Sequence, residues 1–504
     1  MSATAAVRRG ALVWGLLLCS SVLYFFSDNR ADNDLWGHLL FGHDILQAGA
    51  VPRWDTYSYT AAGAPWLDHE WLAQVLLAAV YGWAGSAGLL LLKLALGAGT
   101  FLCLFVLIRR RTAVAAVWGG SGLVLLAILA RGFAIRPQIF TYLALAVELL
   151  VLDAYASPTA GRGWRYAFAG LPLLFVLWAN VHGGFVLGLG VLALFACADL
   201  VRAPRQSVGT WVICLVAVAV SFLNPYGSRL FGFVWDELGR AHPITEWQAA
   251  RVTDVAQWAF FATLAALVAT LFSGGQRRAH WWQVGLALAT GALAVRQQRH
   301  TPVFAVCAAV PLAAQLDGTW ARLRHVQWLV LGRTARQGIA GAVAVLALIQ
   351  FVFTAQRYRR DGLQIRFDAA EYPTSAVQIL RAAQVSANLA VPLDWGEYAL
   401  WFLAPRVKVS LDGRFATVFP ASVVQQNFDF FSGASGWQRL LTEHATEAVL
   451  MPLGSACPVR MLADWQLVVR TPEAQVYARV GTGAWRALQL PHGALPIPSA
   501  GTFP

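Results

Sequence analysis

The run ALVWGLLLCSSVLYFF at 11–26, with Arg8 and Arg9 before it and Asp32-Asn33-Asp34-Leu35-Trp36-Gly37-His38 soon after it, decides how the rest of the chain is read. An apolar run with basic residues ahead of it is a membrane span entered from the cytoplasm. Its start is like that of a secretion signal, but no A-x-A cleavage site follows. Leu18 ahead of Cys19 is too large for a lipoprotein signal, so the run is expected to stay as an uncleaved first span. Whatever comes next, including the Asp32/Asp34 pair, then falls on the outer side.

Composition extends this reading to the whole chain. Of 504 residues, 58% are hydrophobic and 13% charged, with a mean hydropathy of +0.55. Soluble domains carry about a quarter charged residues, so a secreted or cytosolic enzyme does not fit. The 38 basic and 26 acidic residues leave +12, which in a soluble domain would suggest nucleic acid. Here the basic residues are arginines in short groups between apolar runs, with Lys93 and Lys408 the only lysines, and they read as topology signals. No nucleic-acid partner is expected. Cys19, Cys103, Cys197, Cys214 and Cys307 lie in or beside apolar runs and Cys457 stands apart, which implies no disulfide framework or thiolate metal site.

Apolar runs place spans near 11–27, 86–108, 112–130, 137–155, 165–180, 183–201, 208–223, 257–273, 281–295, 301–316 and 337–355. The segment 70–83 is short, ends among glycines, and is expected to be an interfacial or re-entrant helix. With about eleven spans, Arg8-Arg9, Arg109-Arg110-Arg111, Arg162 with Arg165, Arg202 with Arg205, Arg277-Arg278, and Arg322, Arg324, Arg333 and Arg336 all share the cytoplasmic side. The outer side receives the loop 28–85, the loop 224–256 and the C-terminal part. The expected domains are a membrane domain 1–355, an extracytoplasmic α/β domain 356–480 and a disordered tail 481–504. Five strand-like stretches, at 389–392, 407–411, 448–452, 465–470 and 476–480, carry the α/β assignment.

Polar residues near the spans gather on the outer side, and ionisable groups at membrane depth usually face a cavity or each other. Asp32 and Asp34, two carboxylates at i and i+2, can grip a divalent ion bound to phosphate, or one can deprotonate a hydroxyl. The plainer alternative is that Asp34 caps the helix after it. Asp68-His69-Glu70 offers the same choice between a cap and a group that moves a proton or positions an acceptor. His38, Asp55, Tyr57, Trp66, Asn180, Asn224 and Glu246 complete the outer polar and aromatic set as candidates for lining a cavity or contacting an acceptor. Arg131, Arg136, Arg296, Arg299 and His300 can hold phosphate oxygens, or individually snorkel to lipid headgroups. Asp412 and Arg414 read equally as part of a binding edge or as a structural pair.

Taken together, D-N-D-L-W-G-H-L at 32–39, P-R-W-D-T-Y-S-Y-T at 52–60, D-H-E-W-L at 68–72, W-A-N-V-H-G-G-F at 178–185, N-P-Y-G at 224–227, D-W-G-E-Y at 394–398 and L-D-G-R at 411–414 resemble bacterial polytopic membrane proteins of the GT-C glycosyltransferase-like group. The likeness implies a GT-C-like helical membrane protein, N-terminus inside and C-terminus outside, in the bacterial inner membrane. It implies transfer of a sugar from a polyprenyl-phosphate donor to a glycan, lipid or protein acceptor. In such a protein Asp32 and Asp34 would supply the general base, and they would hold a divalent cation (Mg or Mn) if one is used. His69 and Glu70 would assist, and Arg131, Arg136, His182, Arg296, Arg299 and His300 would hold the donor phosphate. The competing class is a transporter or lipid-binding protein that holds an anionic or lipid-linked glycan without breaking a bond. No inverted repeat with paired broken helices, the usual sign of a transporter, is evident.

Overall fold

The computed structural model describes residues 3–159, 161–239, 244–273, 281–323, 332–489 and 501–503. Arg277, Arg278 and Arg324 of the topology signal, and residues 490–500 and 504 of the expected tail, lie outside these described residues. The chain forms two compact units: one from 1–29 and 89–363, the other from 30–88 and 364–504. The segment 30–88, most of the loop between the first two expected spans, thus belongs to the same unit as the C-terminal part.

In the first unit the apolar runs are helices. Among the described residues seven helices of the chain are long and apolar enough to cross a membrane: Arg8–Phe26, Trp71–Arg109, Ala115–Gly132, Gln138–Tyr155, Phe185–Arg202, Gln298–Leu323 and Gln337–Asp361. The other four expected spans form shorter helices. The run 165–180 is divided at Gly170 into Arg162–Ala169 and Leu171–Val181, with Pro172 inside the new first turn. Proline lacks the N–H that would bond to the preceding turn, so the earlier helix cannot continue through it. The remaining three are Pro204–Val220, Trp258–Ser273 and Trp281–Arg296.

Helix Trp71–Arg109 is interrupted at Gly85, whose φ of 57° and ψ of −150° suit glycine and not a side chain. The segment expected to be a separate short helix, 70–83, therefore ends at a real backbone break. Polar groups within the first unit find partners: Ser20 and Ser21 hydroxyls donate to Gln350 Oε1 at 3.0 and 2.8 Å, and Thr112 donates to Asp317 at 2.6 Å. Such pairing is required where no water competes.

The second unit is built on a five-stranded sheet: β1 Ala387–Ala390, β2 Val407–Val409, β3 Ala448–Pro452, β4 Trp465–Arg470 and β5 Ala474–Arg479, in the order β2-β1-β3-β5-β4. β1 runs parallel to β2 and β3, whereas β5 runs antiparallel to β3 and β4. Helix Leu393–Leu403 makes the crossover between β1 and β2. β2 would be a bare edge, but residues 57–59 of the first loop cover it: Val409 N–H donates to Tyr57 O at 3.1 Å and Tyr59 N–H to Val409 O at 3.2 Å. An edge paired in this way offers no template for another chain.

Within the stretch expected to be a disordered tail, Gly483–Leu488 form a helix and Phe503 is buried, its ring stacked on Trp36 at 4.1 Å.

Candidate active site

Three glycines bring the acidic motifs of the second unit together. Helix Leu35–Ala48 begins just after Asp34, which holds the N-cap position but makes no side-chain capping bond. The simple cap reading therefore does not account for its carboxylate. Gly37, one turn on, donates its N–H to Glu397 Oε2 at 3.1 Å, and a Cβ at position 37 would stand 2.2 Å from the Glu397 carboxyl carbon. Gly396 packs so closely that its Cβ would be 2.2 Å from Leu411 O. A Cβ on Gly413 would lie 2.6 Å from Glu397 Oε1 and 2.9 Å from Asp34 Oδ1, so the two carboxyl groups meet over this glycine.

Glu397 is buried, and burial pushes its carboxyl well above the usual range. The charges of Asp34 and Asp412 push the same way, while the Gly37 N–H and Arg414 oppose them. Two carboxylates this close do not both ionise easily, and burial together with the Asp34 charge favours the protonated form of Glu397. Asp32 Oδ1 accepts the Asp34 N–H at 3.1 Å, which fixes the turn that presents Asp34.

Behind this pair lies a buried guanidinium. Arg414 bonds Asp412 through Nε at 2.8 Å and Nη2 at 2.7 Å, and reaches Asp55 through Nη1 at 2.6 Å. The rings of Phe41, Tyr57, Trp66 and Phe419 surround it, the nearest centroid being Trp66 at 4.8 Å. Asp55 also accepts the N–H groups of Tyr57 and Ser58. Asp55, Tyr57 and Trp66, expected as cavity or acceptor residues, thus form part of this buried knot. Asp412 and Arg414 are the structural pair that the sequence left open.

Asp68 is buried, accepts the Gln74 side-chain amide at 3.0 Å and the Glu70 N–H at 3.3 Å, and burial pushes its carboxyl up to about 7. His69 Nε2 lies 3.7 Å from Glu70 Oε1, both partly exposed. His38 is buried on the helix that Asp34 begins.

The first unit gathers the basic candidates. Arg136 pairs with Glu246 at 3.1 Å and Arg131 with Asp254 at 3.5 Å. Arg299 lies 4.1 Å over the ring of Trp247, and His300 Nε2 is 3.1 Å from Gln297 Oε1. The backbone joins these turns, since Ala250 N–H donates to Val295 O at 3.0 Å and Gln298 N–H to Gln248 O at 2.9 Å. Arg296 is exposed, with no hydrogen bond or ion pair among the described residues. His182 accepts the Gly184 N–H at Nδ1 across 3.0 Å, and Thr141 Oγ1 stands 2.8 Å from the same nitrogen. A backbone N–H can only donate, so a neutral His182 carries its proton on Nε2. Trp178 Nε1 donates to Thr141 at 2.8 Å and completes this relay. Asn180 and Asn224 tie helix ends, donating to Leu223 O at 2.9 Å and Ser221 O at 2.8 Å.

Among the described residues no three His, Cys, Asp or Glu side chains converge as a metal would require. Asp32 and Asp34 by themselves do not make a ligand set.

Sequence reasoning passed over Glu397 as a site residue. The signal was present in D-W-G-E and L-D-G-R, each a glycine beside an acid, but a contact between positions 37, 397 and 413 has no local periodicity to reveal it.

The sequence matches no protein-family model and no curated protein. Solved structures do share the fold. The archaeal oligosaccharyltransferase AglB from Archaeoglobus fulgidus, in complex with an inhibitory peptide and a dolichol-phosphate, aligns with a TM-score of 0.59 at 12% identity over 88% of this chain and 69% of its own. The same enzyme in complex with Zn and sulfate aligns at 0.52, with 14% identity over 87% and 68%. ArnT from Cupriavidus metallidurans bound to undecaprenyl phosphate aligns at 0.50, with 13% identity over 95% of this chain and 99% of ArnT. The chain therefore has the GT-C fold, a helical membrane protein ending in a small sheet domain.

Proposed function

We propose that this chain is a membrane glycosyltransferase that moves a sugar from a polyprenyl-phosphate donor to an acceptor hydroxyl or amide on the outer face of a bacterial inner membrane. The observation that carries the reading is the shared fold: one neighbour covering 95% of this chain is bound to undecaprenyl phosphate, and another to dolichol-phosphate. A donor tethered to lipid needs no nucleotide-binding fold, and the sequence has no glycine-rich nucleotide loop.

Asp34 acts as the general base. It takes the acceptor proton as the acceptor heteroatom bonds to the anomeric carbon, and the bond from that carbon to the donor phosphate oxygen breaks, the electron pair leaving with the phosphate. The configuration inverts. The proton kept on Glu397 lets Asp34 be the ionised member of the pair, and Asp32 holds the turn. His69 and Glu70 assist in positioning the acceptor. Arg131 and Arg136 share their charge with carboxylates, so Arg296, Arg299 and His182 Nε2–H carry most of the contact with the donor phosphate, with His300 beside them.

The test is transfer of radiolabel from a panel of polyprenyl-phosphate sugars by the full chain in proteoliposomes. Asp34→Asn is expected to lower transfer by about 100-fold or more, the usual contribution of a general base. Equal transfer by the variant removes Asp34 from the chemistry. Donor binding and lipid translocation without any transfer by the wild type would replace the enzyme with the transporter reading.

A further inference from the structure

The end of the first unit where helix Trp71–Arg109 finishes holds a cavity of about 1160 Å³, and its lining is unbalanced in charge. Arg110, Arg111, Arg165 and Arg202 face it against the single carboxylate of Asp153. Asp153 is already claimed: Arg110 Nε bonds it at 2.9 Å, Arg111 bonds its other oxygen, and Gln283 donates to it at 3.1 Å. Arg202 donates to Ala156 O at 3.1 Å, pairs with Asp199 at 3.5 Å and stays 42% exposed. Arg165 is exposed and has no hydrogen bond or ion pair among the described residues.

One arginine at a helix end is explained by snorkelling to headgroups. Four converge on one concavity, and the carboxylates of Asp153 and Asp199 offset only two of the charges, so the surplus favours an anion there. The remaining walls are apolar: Tyr155 and Phe168 stack at 4.0 Å, and Val212 and Ile213 line the side formed by helix Pro204–Val220. Guanidinium forks beside aromatic and aliphatic walls suit a phosphate ester that carries a hydrocarbon chain.

We infer that this cavity binds the phosphate ester of an anionic phospholipid. Arg165 and Arg202 take the phosphate oxygens, Arg110 and Arg111 are anchored by Asp153 as the floor, and Val212 flanks the acyl chain. The site is independent of the proposed transfer chemistry and uses none of the residues assigned to it.

The test is a titration of the purified full chain in neutral detergent, followed by native mass spectrometry, with dioleoylphosphatidylglycerol and dioleoylphosphatidylcholine. Binding of the phosphatidylglycerol is expected to be at least tenfold tighter. Arg165→Gln removes an exposed charge without breaking a pair and is expected to lower that affinity at least fivefold. Gly209→Trp fills the cavity without changing its charge, since an added Cβ there meets nothing within 4 Å, and is expected to lower it similarly. Both variants should keep the wild-type melting temperature within a few degrees. Displacement of the lipid by millimolar inorganic phosphate assigns the site to phosphate from a soluble source, and resistance to it assigns the lipid. Equal binding of the two lipids, or unchanged affinity in both variants, overturns the site.

Discussion

Gly37 and Glu397 are 360 positions apart in the chain and 3.1 Å apart in space, the backbone N–H of one donating to the carboxyl of the other. This bond joins the start of the first loop to the crossover helix of the sheet. The same carboxyl is the one that burial and the Asp34 charge push well above its usual range.

Replacing Glu397 separates its proton from its shape. Glu397→Gln keeps a neutral acceptor for the Gly37 N–H and is expected to melt within a few degrees of the wild type. Glu397→Ala strands that N–H and leaves a void, at about 2–4 kcal/mol. Differential scanning fluorimetry of the purified protein distinguishes the two, and equal melting of both variants would contradict the bond.

Gly413→Ala is predicted to reduce transfer more than it reduces stability. The new Cβ would press on Glu397 and Asp34 carboxyl oxygens, which are ends of side chains and can move aside. Gly396→Ala meets backbone instead, at Leu411 O, and is expected to lower the yield of folded protein. Comparing activity per folded molecule for the two variants checks the distinction.

Arg414→Lys loses the planar fork that serves Asp412 and Asp55 together. A lysine ammonium cannot reproduce these bonds, and breaking a buried ion pair costs about 3–5 kcal/mol. The variant should unfold at markedly lower denaturant, and Arg414→Met combined with Asp55→Asn and Asp412→Asn should recover part of the loss. Additive losses in the triple variant would show that the three do not act as a unit.

The pH dependence of stability should carry a contribution from Asp68. Its carboxyl titrates at about 7 in the fold, against 3.8 for a free aspartate side chain. The folded state therefore holds a proton that the unfolded chain has released. Stability from this group is full below about pH 4, falls as pH rises, and levels off above about pH 7. Asp68→Asn should flatten the decline across that window, as read from melting temperatures at fixed ionic strength.

Arg296→Gln is expected to raise the donor KM about tenfold with little change in kcat, because its charge is not already spent on a carboxylate. Arg136→Gln should instead lower stability as well, since it releases Glu246. A KM unchanged by Arg296→Gln would take that residue out of the donor contact.

Much of the fold was legible because the bilayer imposes a simple rule on sequence. The apolar runs from Ala11–Phe26 onward mark helices, and the strand-like stretches in the C-terminal part fall on the five strands with shifts of a few residues at their ends. The glycines at 82 and 85 marked the end of the 70–83 segment, whereas the interruption at Gly170 inside the expected span 165–180 was not anticipated. The site was read less completely. Asp34 could be picked out by its place after the first span, whereas Asp55 gave no sign that its partner was Arg414. Such pairings depend on tertiary contacts between segments far apart in sequence, which neither period nor composition encodes. The packing of the Tyr57 and Trp66 rings around the Arg414 guanidinium was hidden for the same reason.

The edge of β2 is completed by Tyr57–Tyr59, which are made long before β2 itself. At about 5–20 residues per second, synthesis of the roughly 350 residues from Tyr59 to Val409 takes on the order of 17–70 seconds. During that interval the first loop has exposed backbone and aromatic rings but no sheet to join. A nascent chain stalled before Val407 would therefore present a protease-sensitive segment that the finished protein protects, and its survival would depend on how quickly the last third of the polypeptide arrives.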